Sequence, residues 1–254
     1  MANWLEQVLC GKQSAPRRVM LYGVHGIGKS TWGAMSEKPI FIQTEDGLGE
    51  IDCHKFPFSD SYSEVMEAIS HIYSGKHDYR TVVLDSLDWL ERLIWVEVCN
   101  SRGVNSIGDI GYNKGYVFAL DYWSKVLDGL SALRNERQMM VILTAHAQIE
   151  RFQSPMADTY DRYTPRLHKH ASAMVQEWVD ELLFACYRVE TKQVDEGFDR
   201  KRNRAVGEAE RVIYTTEGPA HVAKNRLNLP PELPMDYRTY AQHFNVANGG
   251  ENNG

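Results

Sequence analysis

The sequence predicts an α/β fold: a mainly parallel sheet flanked by helices. Three observations predict it. Short runs that are apolar and β-branched on both faces, such as Arg80-Thr81-Val82-Val83-Leu84-Asp85, suit strands buried between helical layers. These runs alternate with segments of helical periodicity, which implies βαβ units with right-handed crossovers. A glycine-rich turn, Gly23 to Ser30, joins the first such run to a helix start.

The elements follow in order. Residues 1–16 are expected to be an N-terminal helical segment, residues 17–234 the main α/β domain, and residues 235–254 a tail. Arg18 to Tyr22 is the first strand, and a helix begins at about Ser30. Pro39 to Gln43 is the second strand. Ser61-Tyr62-Ser63-Glu64 has capping-box spacing and opens a helix that runs to about Tyr73. Arg80 to Asp85 is the third strand, and a helix covers Leu87 to about Cys99. Glycines 103, 108 and 111 mark the next stretch as a loop. Leu120, Trp123, Leu127, Leu130 and Leu133 recur at helical spacing between Tyr116 and Asn135, with Trp123 read as core. Met139 to Thr144 is the fourth strand and Glu181 to Ala185 a later one. Arg211 to Thr215 and His221 to Lys224 flank the turn Glu217-Gly218-Pro219-Ala220 and predict a C-terminal β-hairpin extension. Asn245 to Gly254 is rich in Asn and Gly and is expected to be disordered.

The turn after the first strand carries the chemistry. Gly23, Val24, His25, Gly26, Ile27, Gly28, Lys29 and Ser30, followed by Thr31, match the phosphate-cradling P-loop pattern at every fixed position. Glycines let successive N–H groups point at one anion, and the following helix turns its positive end toward it. Lys29 can then reach the β- and γ-phosphates of ATP, and Ser30 can ligate Mg²⁺. Asp85 ends an apolar strand. It suits either a second Mg²⁺ contact or a helix N-cap. Ser86, not glutamate, follows it, so a water-activating base must lie elsewhere. Glu45 sits just past the second strand, at the carboxyl edge where such sheets bind ligands.

Composition excludes several classes. With 254 residues, 43% of them hydrophobic and 24% charged, the chain suits one large α/β domain. No apolar run approaches the length of a membrane span. Met1 to Glu6 lacks the basic start and apolar stretch of a signal peptide, so a cytoplasmic location is expected. The four cysteines are scattered without a C-x-x-C pair, which indicates neither a zinc knuckle nor a disulfide framework. A net charge of −6 argues against a uniformly basic coat but leaves room for a local basic strip.

In their order along the chain, these motifs resemble a known family. They are GVHGIGKST at Gly23–Thr31, TED at Thr44–Asp46, VVLDSLDWLE at Val82–Glu91 and GYNKGY at Gly111–Tyr116. LTAHAQIERF at Leu143–Phe152, DRYTPRLHKHA at Asp161–Ala171, WVDELLFA at Trp178–Ala185 and KNR at Lys224–Arg226 complete the set. The chain is similar, from about Arg17 to Pro234, to the mostly phage-encoded P-loop ATPases of the RecA-like fold that act in single-strand annealing. The resemblance implies a RecA-like P-loop NTPase fold and Mg²⁺-dependent ATP hydrolysis stimulated by single-stranded DNA. It also implies self-association into a ring or filament beside a single-strand-binding protein, in a phage-carrying bacterial host. It makes Glu45 the base and His146 the γ-phosphate sensor, with Gln148 as the alternative. Lys224 and Arg226 look like the Lys-x-Arg finger that reaches a neighbour's γ-phosphate. The histidine departs from the amide of RecA itself and leaves open how hydrolysis couples to DNA.

Two segments suit DNA. The stretch from Arg151 to His170 offers Arg151, Arg162, Arg166 and Lys169 beside Tyr163, cations for a backbone and a ring for stacking. Arg200-Lys201-Arg202-Asn203-Arg204 is a second basic run; each could equally be a solvated loop. Two rival functions share the P-loop: a nucleotide-gated scaffold or loader that barely hydrolyses ATP, and a small-molecule kinase.

Overall fold

The computed structural model describes residues 7–11, 15–154, 158–188, 191–195, 201–205 and 210–248, and for 191–195, 201–205 and 245–248 the backbone alone. The first strand, β1 (Arg18–Gly23), lies in the middle of a ten-stranded sheet. A tight turn leads from it to α1 (Lys29–Ala34), then β2 (Pro39–Gln43) and the two-residue β3 (His54–Lys55). Next come α2 (Tyr62–Ser74), β4 (Thr81–Asp85) and α3 (Leu87–Arg102). Ser61 caps α2 by accepting from the Glu64 N–H. After two 3₁₀ turns, α4 (Lys114–Glu136) leads into β5 (Met140–Phe152).

Strands β2, β4, β5 and β1 pair in parallel, and β3 extends the row beyond β2. Their register aligns Gly23 with His146 and Gln43 with Asp85. All four carboxyl ends therefore meet along one edge. Alternate residues of each strand face opposite helical layers, and both faces are buried. Met20, Tyr22, Val82, Leu84, Val141 and Leu143 pack toward the layer holding α2, α3 and α4, with Trp123 fully enclosed. Val19, Leu21, Phe41, Val83 and Ile142 pack on the other side against Trp32 of α1.

The fourth strand is longer than its apolar run. β5 leaves the sheet after His146 and pairs antiparallel with β6 (Tyr160–Pro165) as a two-stranded arm. α5 (Lys169–Trp178) then leads to β7 (Glu181–Tyr187), parallel to β1. The second basic run falls on a separate hairpin of β8 (Thr191–Asp195) and β9 (Lys201–Ala205), with Arg200 outside the described residues.

The expected C-terminal hairpin takes another form. β10 (Arg211–Tyr214) and β11 (Lys224–Asn225) do not pair with each other. They lie end to end along the free edge of β7, β10 against residues 184–187 and β11 against residues 181–182. An unpaired edge leaves donors and acceptors unsatisfied, and two successive strands cover more of it than one hairpin arm could. β12 (Glu232–Pro234) closes the outer side of β10.

The tail also differs from expectation. Residues 237–248 form α6 (Tyr237–Asn248), and its tyrosines reach the core. The Tyr237 and Tyr240 rings lie 4.9 and 5.1 Å from that of Trp32. Burying three rings outweighs the Asn-rich composition at the helix end. Much of the expected N-terminal helical segment, residues 1–6 and 12–14, and the end of the tail, residues 249–254, lie outside the described residues. Among the described residues no helix is long and apolar enough to cross a membrane.

Candidate active site

The turn between β1 and α1 is shaped by its glycines. Gly23 packs so closely on β7 that a Cβ there would lie 2.3 Å from the Ala185 carbonyl oxygen. Gly28, with φ 105°, turns the chain in the left-handed region and starts α1. Lys29 is buried, and its ammonium donates to the Val24 carbonyl at 3.1 Å and the Gly23 carbonyl at 3.4 Å. Burial lowers its pKa, opposed by the charges of Asp85, Glu45 and Asp88. A buried cation at the start of a helix, held by two loop carbonyls, is placed to exchange those contacts for a polyanion.

Asp85 is the last residue of β4, and its carboxylate accepts hydrogen bonds from Ser30 and Thr144. Burial raises its pKa, and those two bonds pull it back. The N-cap of α3 is Ser86, which makes no side-chain capping bond. Asp85 thus faces the P-loop serine rather than capping the helix. A hydroxyl and a carboxylate side by side are the hard oxygen donors that Mg²⁺ takes.

Glu45 lies opposite. Thr44 fixes its position: the Thr44 N–H donates to the Asp85 carbonyl at 2.8 Å, and the Thr44 hydroxyl donates to the Ser86 carbonyl at 2.7 Å. Ser86 Oγ donates to Glu45 Oε2 at 2.9 Å. His25, Lys29, Ser30, Thr31, Glu45, Asp85 and His146 line one cleft of about 260 Å³.

His146 ends the buried part of β5. Its Nδ1 lies 3.1 Å from Asp88 Oδ2 and 3.7 Å from Glu45 Oε2, and its backbone N–H donates to Asp88 Oδ1 at 3.1 Å. Arg166, just past β6, also pairs with Asp88. Burial pushes the Asp88 pKa up, but the bonds from His146 and Arg166 outweigh it and hold the carboxyl well below its usual range. Three residues on, buried Glu91 accepts the His168 N–H at 2.9 and 3.1 Å, and burial pushes its pKa up to about 7. Helix α3 therefore grips both ends of the Arg166–His168 turn. Gln148 points elsewhere, donating to the Pro165 carbonyl.

The other expected residues scatter. Arg151 is exposed on the β5–β6 arm, and Lys169 is exposed at the start of α5. Arg162 stacks over Phe152, 3.8 Å from its ring centre, and pairs with Glu217 at 3.5 Å. The Tyr163 ring packs on Phe184 at 5.0 Å, so it is part of the core and not a presented stacking face. Lys224 is engaged within its own chain. Its ammonium donates to the carbonyls of Gln176, Glu177 and Val179 at the end of α5, which uses all three donors. Arg226 pairs with Asp180.

A family model described as AAA domain matches residues 15–227. This chain belongs to the AAA domain family. With its P-loop intact, this AAA domain is a P-loop ATPase-type domain. The crystal structure of the RadB recombinase is similar over 79% of this chain and 80% of that one, with 12% identity and a TM-score of 0.44. A search of curated proteins found no match.

Sequence reasoning missed Asp88 and Glu91 as site residues. Asp88 stands one turn after Asp85, where a helix leaving the sheet edge keeps its first turn beside the ligand cleft. That spacing was the available signal.

Proposed function

We propose that this AAA domain binds and hydrolyses ATP with Mg²⁺ and acts on single-stranded DNA as a homo-oligomer, in phage recombination, annealing or replication. One observation carries the nucleotide half: Lys29, the Ser30–Asp85 pair and Glu45 converge on one cleft at the carboxyl edge of the sheet. In this reading the loop amides and Lys29 hold the phosphates, and Ser30 and Asp85 hold Mg²⁺. The ion, when bound, neutralises charge on the β- and γ-phosphates. Glu45, oriented by Ser86, accepts the proton of the attacking water. His146 contacts Asp88, and Asp88 contacts Arg166. A shift of His146 on phosphate binding is thereby felt at the base of the β5–β6 arm.

The DNA half rests on that arm. Arg151 is exposed on it and Lys169 at the start of α5 beyond its base, while Arg162 is stacked on Phe152 and paired with Glu217. Arg166 joins them from its base. Of the two finger residues, Lys224 is occupied by α5 and the half-exposed Arg226 is paired with Asp180. That observation favours a second reading in which isolated copies bind ATP but hydrolyse it slowly, as a nucleotide-gated scaffold would. The test is ATP turnover with and without single-stranded DNA over a salt series. Stimulation that fades with salt is expected. Turnover indifferent to DNA, without salt-sensitive binding, removes the DNA half.

A further inference from the structure

The geometry points to a transition-metal site at the mouth of the P-loop, formed by His25, His146 and Glu45 and taking a divalent cation of the zinc class. One ligand atom from each of these three residues lies within 4.8 Å of the others. They come from three separate segments: the P-loop, the turn after β2 and the end of β5.

The tautomer of His146 is the first argument. Its Nδ1 faces the Asp88 carboxylate, which accepts but cannot donate. Arg166 Nη2, a donor, lies farther from Nδ1 at 3.3 Å and already pairs with Asp88; with Nδ1 donating to the carboxylate at 3.1 Å, Nε2 keeps its lone pair and stands 3.4 Å from His25 Nδ1. A carboxylate behind a histidine is the outer-shell arrangement that orients metal-bound imidazoles. Asp88 supplies it here.

Distances are the second argument. Two nitrogens 3.4 Å apart, each about 2.0–2.1 Å from a shared ion, subtend roughly 108–116°, near the tetrahedral angle. The same distance is long for a direct hydrogen bond between the rings. Ligand atoms about 3.4 Å apart suit a tetrahedral ion, so the widest separation, 4.8 Å, must close by roughly 1.4 Å. The exposed His25 has room to move and Glu45 can swing about the single bond that Ser86 makes to it, while His146 is held by Asp88.

Chemistry is the third. Two imidazoles and one carboxylate favour zinc, cobalt, nickel or iron over magnesium, which takes oxygen. The site is thus chemically distinct from the Ser30–Asp85 pair in the same cleft. Three protein ligands leave a fourth position open toward that cleft. If Glu45 is the base of hydrolysis, as proposed above, an ion bound to it withdraws its lone pair and switches hydrolysis off.

The experiment is a cobalt(II) titration of the untagged, EDTA-stripped chain without nucleotide, followed by visible absorption. The expected result is the intense absorption of a tetrahedral ion, saturating at one cobalt per chain, displaced by zinc and not by excess magnesium. His25→Ala, on an exposed side chain that folding does not need, should weaken binding at least about tenfold, and Asp88→Asn about 10–100-fold. His54→Ala, at an exposed histidine bonded to Tyr79, should leave it unchanged. A weak octahedral spectrum, thiolate charge-transfer bands, displacement by magnesium, or full binding by His25→Ala would overturn the proposal. Because no nucleotide is present, such a failure leaves the ATPase reading standing. A chain that binds cobalt but, stripped of it and supplied with ATP and Mg²⁺, hydrolyses no ATP sinks that reading and not this one.

Discussion

Glu91→Gln should change how the stability of this protein depends on pH. Glu91 is 4% exposed and accepts only the His168 N–H, while Asp88 adds like charge one turn away. Burial is the larger influence, and it raises the pKa from 4.5 to about 7. The folded-state value lies above the unfolded one. The stability this carboxyl lends is therefore fully present below about 4.5 and is lost as pH rises through about 7. Linkage puts that loss at about 2.5 kcal/mol between pH 5 and 8, of which about 1.3 falls between pH 6 and 8. Glutamine keeps an acceptor for His168 and has no charge to bury. Urea unfolding of the parent and Glu91→Gln at pH 5, 6 and 8 reads the difference directly. The variant should gain on the parent by about 2.5 kcal/mol across that range. The nearby histidines His168 and His170 remain in both proteins and cancel. If the two stability curves run parallel within about 0.5 kcal/mol, the account of Glu91 as a buried, reluctant carboxylate is refuted.

Other outcomes follow from the same geometry. Glu45→Gln should leave ATP binding intact in a calorimeter and lower turnover about 10²–10⁴-fold. Tyr240→Phe should stabilise the protein by about 1–3 kcal/mol in urea unfolding, because the Tyr240 hydroxyl is fully buried with no hydrogen-bond partner among the described residues. Arg151→Ala should reduce the slope of log affinity for single-stranded DNA against log salt by about 0.7, one phosphate contact, whatever the base sequence.

Sequence reading succeeded where chemistry is contiguous. The P-loop lies within nine residues, and its glycines, lysine and serine are dictated by local backbone needs, so the pattern alone positioned Lys29 and Ser30. Asp85 and Glu45 were legible because one ends a strand and the other follows one by two residues, both at the ligand-binding edge. Tyr163 and Lys224 were not. A tyrosine between arginines looks like a stacking ring until the chain order brings Phe184 against it, and a lysine near an arginine looks free until the end of α5 arrives with three carbonyls. The Asp88–His146–Arg166 cluster joins residues up to 78 positions apart, and no periodicity announces it. The closing helix α6 was hidden by composition: Asn245 and Asn248 stand at its far end and an Asn/Gly-rich sequence follows, while Tyr237 and Tyr240, three apart, carry the packing.

The rims of the large sheet bear on how copies of this protein meet. One margin is the two-residue β3 and the other is the three-residue β12, which ends in Pro234, a residue with no amide hydrogen to offer. Neither margin gives a newcomer a continuous ladder to dock on. At these two margins backbone pairing between copies has little to build on, and contacts made there must come from side-chain surfaces of chosen shape and charge.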